Sequence, residues 1–119
     1  IFIMKIKLTD IFSSKQALDK LFNQDMPAKV AFKVADLIDI ISPEIDKIEK
    51  VRVKLVNKYL EEGETTVTKN FEGFSEEFKE FLDEEADIPY EPSIKFEDLP
   101  DSVELTPSEL RRIRFLFSE

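Results

Sequence analysis

Seven carboxylates crowd the stretch from residue 76 to residue 87: Glu76, Glu77, Glu80, Asp83, Glu84, Glu85 and Asp87. Such a run suits mimicry of nucleic-acid phosphates, cation binding or docking of a basic protein. The bland reading, a solvated helix back, is the commoner one for a charge block of this size. Glu76, Glu77, Glu80, Asp83, Glu84 and Glu85 are the candidate partner-binding residues. A calcium loop is not expected, since the alternating Asp order with its central Gly is absent and Gly63 and Gly73 are the only glycines. Two glycines also leave no phosphate-cradling loop and no dinucleotide fingerprint. The adjacent pairs Glu61/Glu62 and Glu84/Glu85 point about 100° apart if helical, so neither is poised to flank a glycosidic bond as acid and base. Arg111, Arg112 and Arg114 are the densest cations. They suit a phosphate, but in an acidic chain the ordinary reading is that they satisfy neighbouring carboxylates.

The chain contains no cysteine and no histidine. Disulfides, thiolate chemistry, Ser/His/Asp triads and zinc sites with His or Cys ligands are thereby excluded. Any catalysis would have to run on carboxylates, Lys, Ser or Tyr. The expectation is a binding protein with no catalytic residues, no metal and no cofactor.

At 119 residues the chain is the size of one domain, and its 42% hydrophobic and 36% charged composition suits a folded globule with an ionic surface. The net charge of −9 is unevenly spread: residues 1–60 hold 11 Lys/Arg against 8 Asp/Glu, and residues 61–119 hold 6 against 18. An acidic half repels phosphates, so a basic protein partner is expected and direct nucleic-acid binding is not. Residues 1–8 are too short and too soon interrupted by Lys5 and Lys7 to span a membrane, so a soluble protein with no membrane partner is expected. Residues 1–3 precede Met4 and are read as an upstream remnant without function.

The positioning elements follow from periodicity. Residues 1–8 read as a strand. Ser13 to Gln16 has the form of a capping box, opening a helix over about 14–23 with Ala17, Leu18, Leu21 and Phe22 as its apolar face. Pro27 suits a helix first turn. From there Val30, Val34, Leu37, Ile38, Ile41, Ile45, Ile48, Val51, Leu55 and Tyr59 recur at threes and fours. An unbroken helix over 27–61 would be about 52 Å long, so a kink or break is expected at Ser42-Pro43. The alternative is a long arm paired with a second subunit, a homo-oligomer through residues 30–59. Thr65 to Thr68 is β-branched and reads as a strand over 64–69. Phe71, Phe74, Phe78, Phe81 and Leu82 share one face of a helix over 71–85, more often core than ligand pocket. Ile94 and Phe96 mark an edge strand over 92–97, and Thr106-Pro107-Ser108-Glu109 caps a last helix. The expected fold is α+β and helix-dominated: one domain over 1–119, with a long kinked amphipathic helix, shorter helices and a small antiparallel sheet drawn from residues 1–8, 64–69 and 92–97.

Several stretches resemble a family of short, acidic, uncharacterised proteins of tailed phages and prophages of Gram-positive bacteria. They are Lys5 to Leu8, Lys15 to Leu18, Asn23 and Gln24, Pro27 to Lys33, Arg52 to Val56, Lys58 and Tyr59, and Leu105 to Leu110. The resemblance runs from Met4 to about Phe117 and includes no catalytic motif and no site residues. Pro43 departs from the family's pattern of an uninterrupted helix. The resemblance implies a bacterial host cytoplasm or association with the virion, and a protein that acts on other proteins. Two functions follow as expectations: a phage-type structural or assembly adaptor, or an acidic inhibitor that occupies a host nucleic-acid-binding protein by phosphate mimicry.

Overall fold

A computed structural model describes residues 2–118. Four helices and a two-stranded antiparallel sheet follow in the order β1 (Met4–Lys7), α1 (Leu8–Phe22), α2 (Ala28–Tyr59), α3 (Phe71–Leu82), β2 (Glu85–Ile88) and α4 (Pro107–Arg112), with 3-10 turns at Phe96–Asp98 and Arg114–Leu116. The fold is helix-dominated, built around one long helix.

The helix α1 starts six residues before the expected one. Leu8, Ile11 and Phe12 already carry helical spacing, and the Leu8 N–H finds the Glu84 carbonyl at 2.8 Å. That long-range bond satisfies one of the amide donors that a helix start leaves open, so the Ser13 capping box is not needed and does not form. Ser14 lies buried inside the helix, and its hydroxyl donates back to the Ile11 carbonyl at 2.7 Å.

The helix α2 is unbroken through Pro43, which corrects the expected break. Its 32 residues run about 48 Å at 1.5 Å per residue, nearly the molecule's 52 Å long axis. The helix therefore does not fold back on itself. Pro43 is tolerated because it sits on the exposed face, where water can reach the carbonyl that its ring leaves without a donor. Immediately before it, the Ser42 hydroxyl donates to the carbonyl of Ile38, one turn back, at 2.7 Å.

The sheet pairs β1 with β2, Met4 opposite Ile88 and Lys7 opposite Glu85. This corrects the expected partners. Residues 64–69 run as bends and irregular chain after Gly63, which takes a positive φ of 87°, and the β-branched side chains there have no strand to pair with. Residues 92–97 contribute a single parallel bridge, Ile94 to Phe117.

Val34, Leu37, Ile41, Ile45 and Ile48 of α2 are buried together with Ile11, Leu18 and Leu21 of α1 and with Ile6, Ile88, Tyr90, Ile94, Ile113 and Leu116. Each fully buried aliphatic side chain here contributes on the order of 1.5–3 kcal/mol. Leu37→Ala, at a position with no exposure, would leave a cavity costing about 2–5 kcal/mol. The apolar stripe of α2 is thus covered by its own chain. What α2 turns outward is single: Phe32, 74% exposed, and Val53, 45% exposed, stand about 31 Å apart along the helix.

Candidate functional site

The acidic candidates are carried by α3 and by the turn into β2. Phe74, Phe78 and Phe81 stack along α3 at centroid spacings of 5.8 and 6.4 Å, and Phe12 meets Phe78 edge-on at 6.0 Å. The row packs as a half-buried rim beside the core, and no residue of α3 is fully buried. With that face turned in, Glu76 and Glu80, one turn apart, must face out.

The six candidates do not form one surface. Glu76, Glu80, Asp83 and Glu84 are exposed, and none has an ion pair among the described residues. Glu77 faces α2 instead, where it accepts from Lys58 Nζ and the Tyr59 hydroxyl, both at 2.7 Å. The Lys58 bond first and the Tyr59 bond second hold its carboxyl below the usual carboxylate range. Glu77 is therefore a clamp between α2 and α3. Glu85 leaves the helix altogether: α3 ends at Leu82 rather than near 85, and Glu85 opens β2 opposite Lys7. The alternation of half-buried or buried Ala86, Ile88 and Tyr90 with exposed Glu85, Asp87 and Pro89 was the strand signal that the carboxylate run concealed.

Asp83 and Glu84 follow the last turn of α3, where the helix dipole is negative and anions are disfavoured, typically by about 0.3–1 kcal/mol each when exposed. Glu80 and Asp83 lie within a turn of one another, so the end of α3 concentrates negative charge with little local compensation.

Sequence reasoning missed a second charged surface. Lys5 and Lys7 of β1 line a groove of about 400 Å³ with Arg111 and Arg112 of α4 and Arg114 of the turn after it. The arginines do not satisfy neighbouring glutamates: none of the five cations has an ion pair among the described residues. Two carboxylates, Asp10 and Glu85, also line the groove. The only signal available beforehand was the Arg111/Arg112/Arg114 cluster itself, because its lysine partners stand over a hundred residues away in sequence.

Other carboxylates are structurally engaged. Glu61 bonds Lys69 at 3.6 Å and accepts from Asn70 at 3.3 Å. Glu64 accepts from the Thr68 hydroxyl and from the Glu61 N–H, which together lower its pKa. Among the described residues no group of three or more His, Cys, Asp or Glu side chains could hold a metal ion, and no helix is long and apolar enough to cross a membrane.

No family model, no curated protein and no solved structure matches the chain.

Proposed function

We propose that this chain is a non-catalytic adaptor of the structural or assembly kind, working by docking other proteins. The supporting observation is charge segregation. Among the described residues, Glu76, Glu80, Asp83 and Glu84 stand exposed without ion pairs at the end of α3, while five cations without ion pairs outnumber Asp10 and Glu85 in the groove beside β1. A chain selected only for solubility would gain by interspersing these charges. Two fields of opposite sign, meeting where Glu84 leads into β2, suit two partners, or two contacts to one. The phage context rests on the sequence resemblance, and a basic protein is the natural counterpart of the α3 end.

Phosphate mimicry is the weaker reading. With Glu77 committed to Lys58 and Tyr59 and Glu85 on the strand, four carboxylates remain in the row where six were expected.

The test is capture from a bacterial lysate on the immobilised full chain, beside a variant carrying Glu76→Gln, Glu80→Gln, Asp83→Asn and Glu84→Gln. A protein held by the original chain, lost by the variant and released by salt supports the docking reading. Identical capture by both removes the α3 end from consideration. A captured protein that nucleic acid competes away would favour mimicry.

A further inference from the structure

The groove beside β1 combines cations that have no ion pair among the described residues with a strand edge that no described strand covers. In an antiparallel pair, facing residues alternate between those that exchange backbone bonds and those whose N–H and C=O point to the outer edge. The Leu8 N–H to Glu84 carbonyl bond fixes the phase. With Met4 opposite Ile88 and Ile6 opposite Ala86, residues 4, 6 and 8 face β2, and the backbone groups of Lys5 and Lys7 face away. The Lys7 carbonyl turns into the first turn of α1, leaving the N–H and C=O of Lys5 and the N–H of Lys7. No described backbone group outside the strand pair bonds these three.

All four β1 residues line the groove, as they must if it runs along the strand. Lys5 and Lys7 are exposed on one face of β1, whereas Met4 and Ile6 turn to the other. Phe115, half-buried, adds a further apolar wall, and the arginines enter from α4 and the turn beyond it.

We infer that this groove takes an extended acidic segment of a partner protein, added as a third strand along β1. The backbone edge supplies register and the cations supply the charge preference. A strand in that position alternates its side chains, so acidic residues on one face meet Lys5 and Lys7 while apolar ones on the other meet Met4 and Phe115. Five cations against Asp10 and Glu85 leave an excess of about three positive charges for the ligand to neutralise. A nucleic-acid strand fits less well. It has no alternating donors and acceptors for a strand edge, and its backbone would have to continue past the groove over a protein of net charge −9. This inference rests on the reading of the chain as a protein-binding adaptor, but it uses the cations and strand edge of the groove rather than the exposed carboxylates of the adjoining α3 end.

The test is fluorescence anisotropy on the full chain with four labelled probes: an eight-residue peptide alternating Glu and Val, the same peptide with Gln for Glu, the Glu/Val peptide interrupted by a central proline, and an eight-nucleotide thymidine strand. The Glu/Val peptide is expected to bind in a salt-sensitive manner. The Gln and proline versions are each expected to bind about tenfold more weakly or worse, because one lacks the charge and the other a ladder donor. Arg111→Glu with Arg114→Glu, both at exposed positions that should leave the fold intact, is expected to abolish binding. In an amide spectrum of the labelled chain, the peptide should shift Lys5 and Lys7 and slow their exchange.

No Glu/Val binding at millimolar peptide overturns the proposal. Equal binding of the proline peptide overturns strand addition, and tighter binding of the oligonucleotide overturns the choice of a peptide. If the peptide fails while capture through the α3 end still depends on its carboxylates, the groove alone is refuted and the adaptor reading stands.

Discussion

Glu109 closes a cap and ties two helices with one oxygen. Its Oε1 accepts from the Thr106 N–H and from Lys20 Nζ, each at 2.8 Å, and Thr106 Oγ1 accepts from the Glu109 N–H at 3.2 Å. Lys20 first and the Thr106 backbone second pull its carboxyl down to about 2. A depressed folded-state pKa stabilises fully above the ordinary value of about 4.3 and loses that contribution as pH falls toward 2. Acid titration should therefore loosen the docking of α4 on α1 between about pH 4 and 2, seen in the methyl resonances of Ile113 and Leu116, and Glu109→Gln should remove that step. Thr106→Ala deletes the reciprocal cap and should cost about 1 kcal/mol in denaturant unfolding. Tyr90 shows the opposite sign. Burial first and the Asp36 carboxylate second push its phenol up to about 12, while its hydroxyl donates to the Leu116 carbonyl at 2.8 Å. A raised pKa stabilises fully below about 10 and is lost as pH rises through about 12. Tyr90→Phe should cost about 1 kcal/mol at neutral pH and should move alkaline unfolding, followed by circular dichroism, to higher pH.

At the scale of elements, α2 carries a proline that its length makes costly. Pro43 lies exposed in the middle of a continuous helix, so Pro43→Ala restores an N–H for the Asp39 carbonyl without disturbing the core. It should stabilise the chain by about 1–3 kcal/mol in chemical denaturation. An unchanged or lower midpoint would mean that a bend at Pro43 is needed to wrap α2 over α1. Gly73 illustrates a different constraint. The sequence makes it a weakness near the start of α3, but a Cβ there would stand 2.9 Å from Tyr59 Cε1. Glycine is what lets the Tyr59 ring cross α3 and reach Glu77. Gly73→Ala gains about 1 kcal/mol of helix propensity yet must displace the ring and break its bond to Glu77. The Tyr59 phenol, held above its ordinary value chiefly by that bond, should then titrate lower in ultraviolet absorbance with the fold intact.

At the scale of the whole molecule, the stripe from Val30 to Tyr59 had two ways to be covered, by its own chain or by a second copy. Val34, Leu37, Ile41, Ile45, Ile48 and Leu55 are all buried within one chain, which leaves no continuous apolar face for the expected pairing through residues 30–59. Light scattering at high salt should therefore give a monomer. Self-association confined to low salt would instead mean that the acidic end of α3 meets the basic groove of another copy, a head-to-tail contact that salt screens.

Sequence alone was sufficient wherever the physics is local. The period of α2, the phenylalanine face of α3, the Thr106 to Glu109 cap and the absence of thiol and imidazole chemistry are properties of neighbouring residues, and so was the helix-dominated class. Non-local partners decided the rest. The start of α1 depends on the Glu84 carbonyl, 76 residues on, and β2 exists because β1 lies beside it. A third of the six acidic candidates left the row for the same reason, since Glu77 and Glu85 are claimed by Lys58, Tyr59 and the strand. The basic groove was illegible because its lysines and arginines sit at opposite ends of the chain. Charge counted along a sequence says how much there is of each sign, whereas a surface is made by which distant segments the core draws together.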